Sequence, residues 1–221
     1  MDTVVYNRFA DKRDSGPLIL RQEDIVNRVY SSVDEAVDCE LKRLYVEEGI
    51  VPTCKSGCFQ CCGQHILMNI AEAQALTQYI QHEFSSDQIE DLRLRTHQWH
   101  KWDETRPVRP HATGENEQNS LYTHHYCPML VEGECSAYPM RPLICRRHFV
   151  SSDPPACRPF YDPESNEDDP VPLATIITVT NQFSPRIKDL IENAGLSFYG
   201  SIMLLPHWLA IEMNWEFAIA P

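Results

Sequence analysis

The residues in this chain whose type and spacing could do chemistry are its cysteines: Cys39, Cys54, Cys58, Cys61, Cys62, Cys127, Cys135, Cys145 and Cys157. Four of them crowd into CKSGCFQCC at 54–62, and three more follow in CPMLVEGECSAYPMRPLICRRH at 127–148. Thiols this dense either crosslink as disulfides or serve as thiolate ligands. An odd total leaves at least one outside a fully paired framework. The start, MDTVVYNRFADKRD, has no basic run leading into an apolar one, so it does not read as a secretory signal. A cytoplasmic location is therefore expected, where structural disulfides are disfavoured and metal ligation is the better reading.

A thiolate is a soft anionic ligand, and four of them enclose a zinc ion or an iron-sulfur cluster. The short spacing of Cys58 and Cys61 lets both reach one centre from a turn, with Cys54 near enough to join. Cys61 and Cys62 are adjacent, so their side chains are expected to diverge. One could serve each of two neighbouring centres, or one could be a packing or reactive thiol. Cys127, Cys135 and Cys145 add ligands at wider intervals, and Cys157 follows. Cys39 falls on a helix away from its apolar stripe and reads as a packing residue or bystander. That leaves Cys54, Cys58, Cys61, Cys62, Cys127, Cys135, Cys145 and Cys157 as the candidate metal ligands. They suffice for two centres of four, and one four-cysteine site with spare thiols fits equally.

Arg141, Arg146, Arg147 and Arg158 crowd the later cysteines, where guanidinium groups could offset the negative charge of a thiolate site. A solvated basic face is the alternative. His65, His124, His125 and His148 are second-choice ligands, since enough cysteines are present. His97, His100 and His111 read as a surface helix end followed by a loop rather than a second cluster.

The elements that must position these residues are mostly helical. Residues 1–20 read as an irregular lead-in. Ile25, Val29, Val33, Val37, Leu41 and Leu44 recur at helical spacing and predict an amphipathic helix over 23–48, ended by Gly49. GIVPTCKSGCFQCCG, with its glycines and proline, reads as a loop. Asn69 and Glu72 form a capping-box pair for a helix whose stripe is Ala73, Leu76, Ile80 and Phe84. Ser85 or Ser86 starts a third helix, to about Trp99. KWDETRPVRPHATGENEQNS at 101–120 reads as a loop. Near 173–180, LATIITVT suggests a short strand or a buried segment. Ser184-Pro185 starts a helix ending near Gly195, and Pro206 starts a last one through HWLAIEMNWEF, a core helix before an interface. The fold expected is mainly α: a small irregular cysteine-rich metal-binding core with packed helices. One domain over 1–221 is expected, its metal-binding core at 54–157 interrupted by the 101–120 loop, with a C-terminal extension over 158–221.

Composition narrows the partners. A formal net charge of −13 and the lack of a basic track argue against nucleic acid. The longest apolar stretches fall far below a membrane-spanning length. At 25.5 kDa the chain can bury a core without staples.

C-x3-C-x2-CC, then CPMLVEGEC, then YPMRPLICR, together resemble the YkgJ-type cysteine-cluster family. Cys58, Cys61 and Cys62 fit its first element and Cys127, Pro128 and Leu130 its second. Cys135 and Tyr138 fit the third, and Arg141, Pro142, Cys145 and Arg146 the last. The likeness covers residues 54–148. It departs from the family in a first interval of x3, in Met129, and in a long insert between CC and CP. Cys157 lies beyond it. The resemblance implies zinc or iron chelation, and some members carry an Fe-S oxidoreductase label. The expected function is accordingly a protein with one or two zinc or iron-sulfur centres, acting in electron transfer or a redox reaction with a protein redox partner or client. No Gly-rich dinucleotide loop appears. The alternatives are structural zinc in a protein-interaction or metal-carrier protein, and a methyltransferase related to flagellin lysine N-methylase. No catalytic residue is assigned.

Overall fold

The computed structural model describes residues 16–55, 57–105, 125–160 and 170–216. Its first helix, α1, spans Gly16–Arg43. It begins inside the stretch expected to be irregular, and continues into a π-helical turn at Leu44–Glu48. Gly49 stops it as expected: at φ 67° it turns left-handed, and its N–H returns to the carbonyls of Leu44 and Tyr45. Val26, Val29, Tyr30, Val33, Val37 and Leu44 are buried, with Val26 rather than Ile25 at the head of the stripe. Burying one such aliphatic side chain contributes at most about 1.5–3 kcal/mol.

After the cysteine-rich loop, strand β1 (Leu67–Met68) leads into α2 (Ile70–Glu83). The capping box forms as the sequence implies. Asn69 Oδ1 accepts from the Glu72 N–H at 3.1 Å, and the Glu72 carboxylate reaches back to Asn69. Ala73, Leu76 and Ile80 are buried in the core, with Phe84 packed against them. A reciprocal pair of bonds between Ser85 and Gln88 opens α3, which spans Ser86–Thr105. Residues 101–105 of the expected loop are therefore helical, and the remainder, 106–120, lies outside the described residues.

A tight hairpin follows. Strands β2 (Leu130–Val131) and β3 (Glu134–Cys135) pair antiparallel, with Leu130 opposite Cys135. Glu132 and Gly133, at φ 51° and 84°, make its two-residue turn, where two left-handed residues match the twist of the strands. The short helix α4 (Leu143–Arg146) comes next, then α5 (Ala174–Asn181) and α6 (Ser184–Asn193). Strand β4 (Met203–Leu204) pairs antiparallel with β1 and delivers α7, Leu205–Glu212.

Of the short strand or buried segment expected near 173–180, the structure shows a partly buried helix. Its β-branched run favours a strand locally, but tertiary packing overrides that preference. Ile176 and Thr180, one turn apart, are buried, and α5 lies against α1. The Thr178 hydroxyl donates to the Ala174 carbonyl at 3.0 Å.

The core lies where α1 packs on α2 and α5, and where α7 packs on α2 and α3. Trp208, Leu209 and Ala210 of α7 are buried, and Trp208 Nε1 donates to the Met68 carbonyl at 3.1 Å. The aromatic C-terminal segment is thus core across α7. Among the described residues no helix is long and apolar enough to cross a membrane.

Candidate metal centre

The loop at 50–64 is held by backbone bonds to segments far along the chain. The Thr53 N–H donates to the Val150 carbonyl at 3.0 Å, and the Val150 N–H to Cys54 Sγ at 3.4 Å. Gly57, at φ 81°, bends the chain between Cys54 and Cys58. A 3-10 turn at Gln60–Gly63 then presents Cys61 and Cys62. The Cys62 carbonyl accepts from the Cys127 N–H at 2.8 Å, so the second cysteine group is tied to the first across the excursion between them. The β2–β3 hairpin sets Cys135 beside Cys127, and Phe59 meets Tyr126 edge-on at 5.5 Å. A second 3-10 segment, Pro154–Phe160, carries Cys157 against the Gln60–Gly63 turn.

Cys145 sits on α4, which is clamped from the core side. The Leu143 N–H at its start donates to Glu72 Oε1 at 2.8 Å, and the Tyr30 hydroxyl donates to the same oxygen at 3.0 Å. Glu72 thereby caps α2, anchors α1 and holds the turn bearing Cys145. Burial pushes its carboxyl up, against the pull of the donors around it. Arg146 is 1% exposed and stacks over the Tyr30 ring at 4.1 Å. It donates to Asp34 and to the Pro139 carbonyl, and through Nε to the Arg141 carbonyl at 2.8 Å.

All nine cysteines are free thiols, and Cys39 is exposed. The other eight gather into two neighbourhoods. Cys157 feels the charge of Cys54, Cys58 and Cys61, and Cys54 that of Cys58 and Cys61. Cys62 feels Cys127, Cys61 and Cys145, while Cys145 feels Cys61, Cys127 and Cys135. Cys61 touches both groups. The adjacent thiols interact with each other, which raises Cys62 far above an ordinary thiol and lowers Cys61. Burial pushes Cys127 and Cys157 up to about 12, with neighbouring thiols adding to the rise. Among the described residues, no three Cys, His, Asp or Glu side chains close to metal-holding geometry.

The donor set nonetheless fits a thiolate-held metal in type, number and surroundings. Arg141 Nε is buried without a hydrogen-bond partner. The guanidinium of Arg141 lies within electrostatic reach of Cys61, Cys135 and Cys145. A stranded buried donor beside three thiols suits a centre of net negative charge. Backbone N–H groups of Met129 and Ala137 also point to Cys127 and Cys135.

The four arginines read from the sequence take different places. Arg141 lies among the thiols by these interactions; it also stacks over Tyr138 at 3.8 Å. Arg146 turns to α1, Arg147 Nη1 donates to Asn181 Oδ1 at 3.2 Å, and Arg158 is exposed. Arg95, which the sequence reading missed, is a second cation beside Cys127, and its Nε donates to the Pro128 carbonyl at 2.8 Å. Only its position on α3, far from any cysteine in sequence, hid it.

The histidines also sort differently. His125 stacks on Trp102 at 5.1 Å, and His65 lies 6.5 Å from the same ring. His100 is 3% exposed rather than on a surface, and meets His207 of α7 at 4.8 Å between ring centres. His111 and His124 lie outside the described residues.

The family model described as a "putative zinc- or iron-chelating domain", CxxCxxCC, matches residues 53–167, just over half of the chain. That span takes in all eight gathered cysteines, Cys157 included. No curated protein and no solved structure matches the chain.

Proposed function

Because the chain belongs to the zinc- or iron-chelating CxxCxxCC family, we propose that its cysteines hold two adjacent four-thiolate metal centres. Cys54, Cys58, Cys61 and Cys157 would form one, and Cys62, Cys127, Cys135 and Cys145 the other. The observation that carries this reading is the grouping of the thiols: Cys54 and Cys157 have Cys58 and Cys61 as electrostatic neighbours, Cys62 and Cys145 have Cys127, Cys127 has Cys135, and Cys61 neighbours both groups. The burial that raises these thiols favours tightly held metal over an exposed, exchangeable carrier site.

Zinc bound this way would staple the fold, and iron-sulfur clusters would supply one-electron transfer. We favour electron transfer. Arg141 and Arg95 beside the thiols, with N–H donors to Cys54, Cys127 and Cys135, are the surroundings that tune a cluster's potential. Without a dinucleotide loop, a partner protein would supply or receive the electrons.

Iron, zinc and acid-labile sulfide, measured with an absorption spectrum on anaerobically purified protein, test the reading. Brown protein with matching iron and sulfide supports the cluster reading. Colourless protein with stoichiometric zinc ends the redox reading and leaves structural zinc.

A further inference from the structure

On the core side of α4 lies a cavity of about 230 Å³ that the metal reading does not use. Leu67, Leu143, Ile144, Ile187 and Phe198 make its walls largely apolar, and Arg147 and Asn181 line it as well. Positions 143 and 147 share a helical face, whereas 145 lies on the opposite one. The short helix therefore offers a thiol on one side and a ligand-sized space on the other.

Arg147 gives the cavity its chemistry. The chain carries 32 acidic residues against 19 basic ones, yet among the described residues no carboxylate pairs with Arg147. Its partner is the neutral side-chain oxygen of Asn181. Ser184 also lines the space, at the start of the ten-residue α6, which has no side-chain cap, and the positive end of that helix adds to the field of the guanidinium. Glu72 is the acid in the lining, and its oxygens already accept from Tyr30, Leu143 and Asn69. An arginine without an acid partner, at the edge of an apolar space in an acid-rich protein, suits a ligand that brings its own carboxylate. The volume falls below the roughly 300–1,000 Å³ of drug-sized pockets, which limits that ligand to a few carbons.

We propose that this cavity binds a small monocarboxylate with a branched apolar tail, its carboxylate on Arg147 and its tail between Leu143, Ile187 and Phe198. The site stands whether the thiols hold zinc or iron.

Titration calorimetry on the full, metal-loaded chain tests it, with 4-methylpentanoate, 4-methylpentanamide and inorganic phosphate as probes. The acid should bind, and the amide and phosphate at least about tenfold more weakly, because a charge-assisted bond to arginine is lost in one and the tail contacts in the other. Arg147→Ala should lose at least about tenfold in affinity for the acid. Ser184→Phe, which fills the cavity from its edge, should abolish binding. Metal content and melting temperature, measured on each variant, separate loss of the pocket from loss of the fold or the centres. No binding of the acid, equal binding of acid and amide, tighter binding of phosphate, or undiminished binding by either variant would overturn the proposal.

Discussion

The Cys61–Cys62 pair is where the two thiol sets meet, and it gives the account its sharpest residue-level consequences. Cys157 belongs by its neighbours to one set and Cys145 to the other. Cys157→Ser should therefore cost one centre and leave the second intact, and Cys145→Ser should do the reverse. Cys61→Ser should lower occupancy of both, and Cys39→Ser should leave metal content unchanged, since that residue is exposed and outside both groups. Metal analysis of the purified variants checks all of these. At this scale the sequence was legible in the gathering of its cysteines, because short spacing brings Cys54, Cys58 and Cys61 together. The cations were less legible. Proximity in sequence nominated Arg146 and Arg147, whereas Arg146 is spent on Asp34 and Tyr30, and Arg95 reaches the site from another helix.

Two short elements position the second set, and each has a residue on which it depends. Gly133 holds a left-handed conformation in the β2–β3 turn, at φ 84°. Gly133→Ala should cost about 1–2 kcal/mol, read as a lower denaturation midpoint, because a side chain resists that backbone region. Glu72 links α1, α2 and α4 through its carboxylate. Glu72→Ala would strand the Tyr30 hydroxyl and the Leu143 N–H, and should cost about 2–4 kcal/mol while loosening metal at Cys145. Urea titration with parallel metal analysis checks both effects. The capping box at Asn69 and Glu72 was readable because caps are local. That the same carboxylate also holds α4 was not, since that contact spans 71 positions of sequence. α5 defeated local reading for a similar reason: a β-branched run was drawn into a helix by burial of Ile176 and Thr180 beneath α1.

Across the molecule, α3 and α7 meet at His100 and His207, with Asp103 paired to His207 at 3.4 Å and His97 near His100. Burial, then the neighbouring His207, lowers His100 from 6.5 to about 4. The unfolded chain takes that proton as pH falls through about 6.5, whereas the folded one resists it until about 4. The contribution is therefore complete above pH 6.5 and is lost as pH falls across that window, by on the order of 2–3 kcal/mol. His100→Gln should flatten this part of the stability profile, as denaturation at a series of pH values would show. The helical character of the whole was legible from apolar periodicity, but the pairing of His100 with a residue near the other end of the chain was not.

The central claim is that eight thiols form two centres. Native mass spectrometry of anaerobically prepared protein tests it most directly, with Cys157→Ser and Cys145→Ser measured alongside. The account predicts two metal centres on the native chain and one on each variant. A native chain without bound metal, or variants that both retain the full complement, would contradict it.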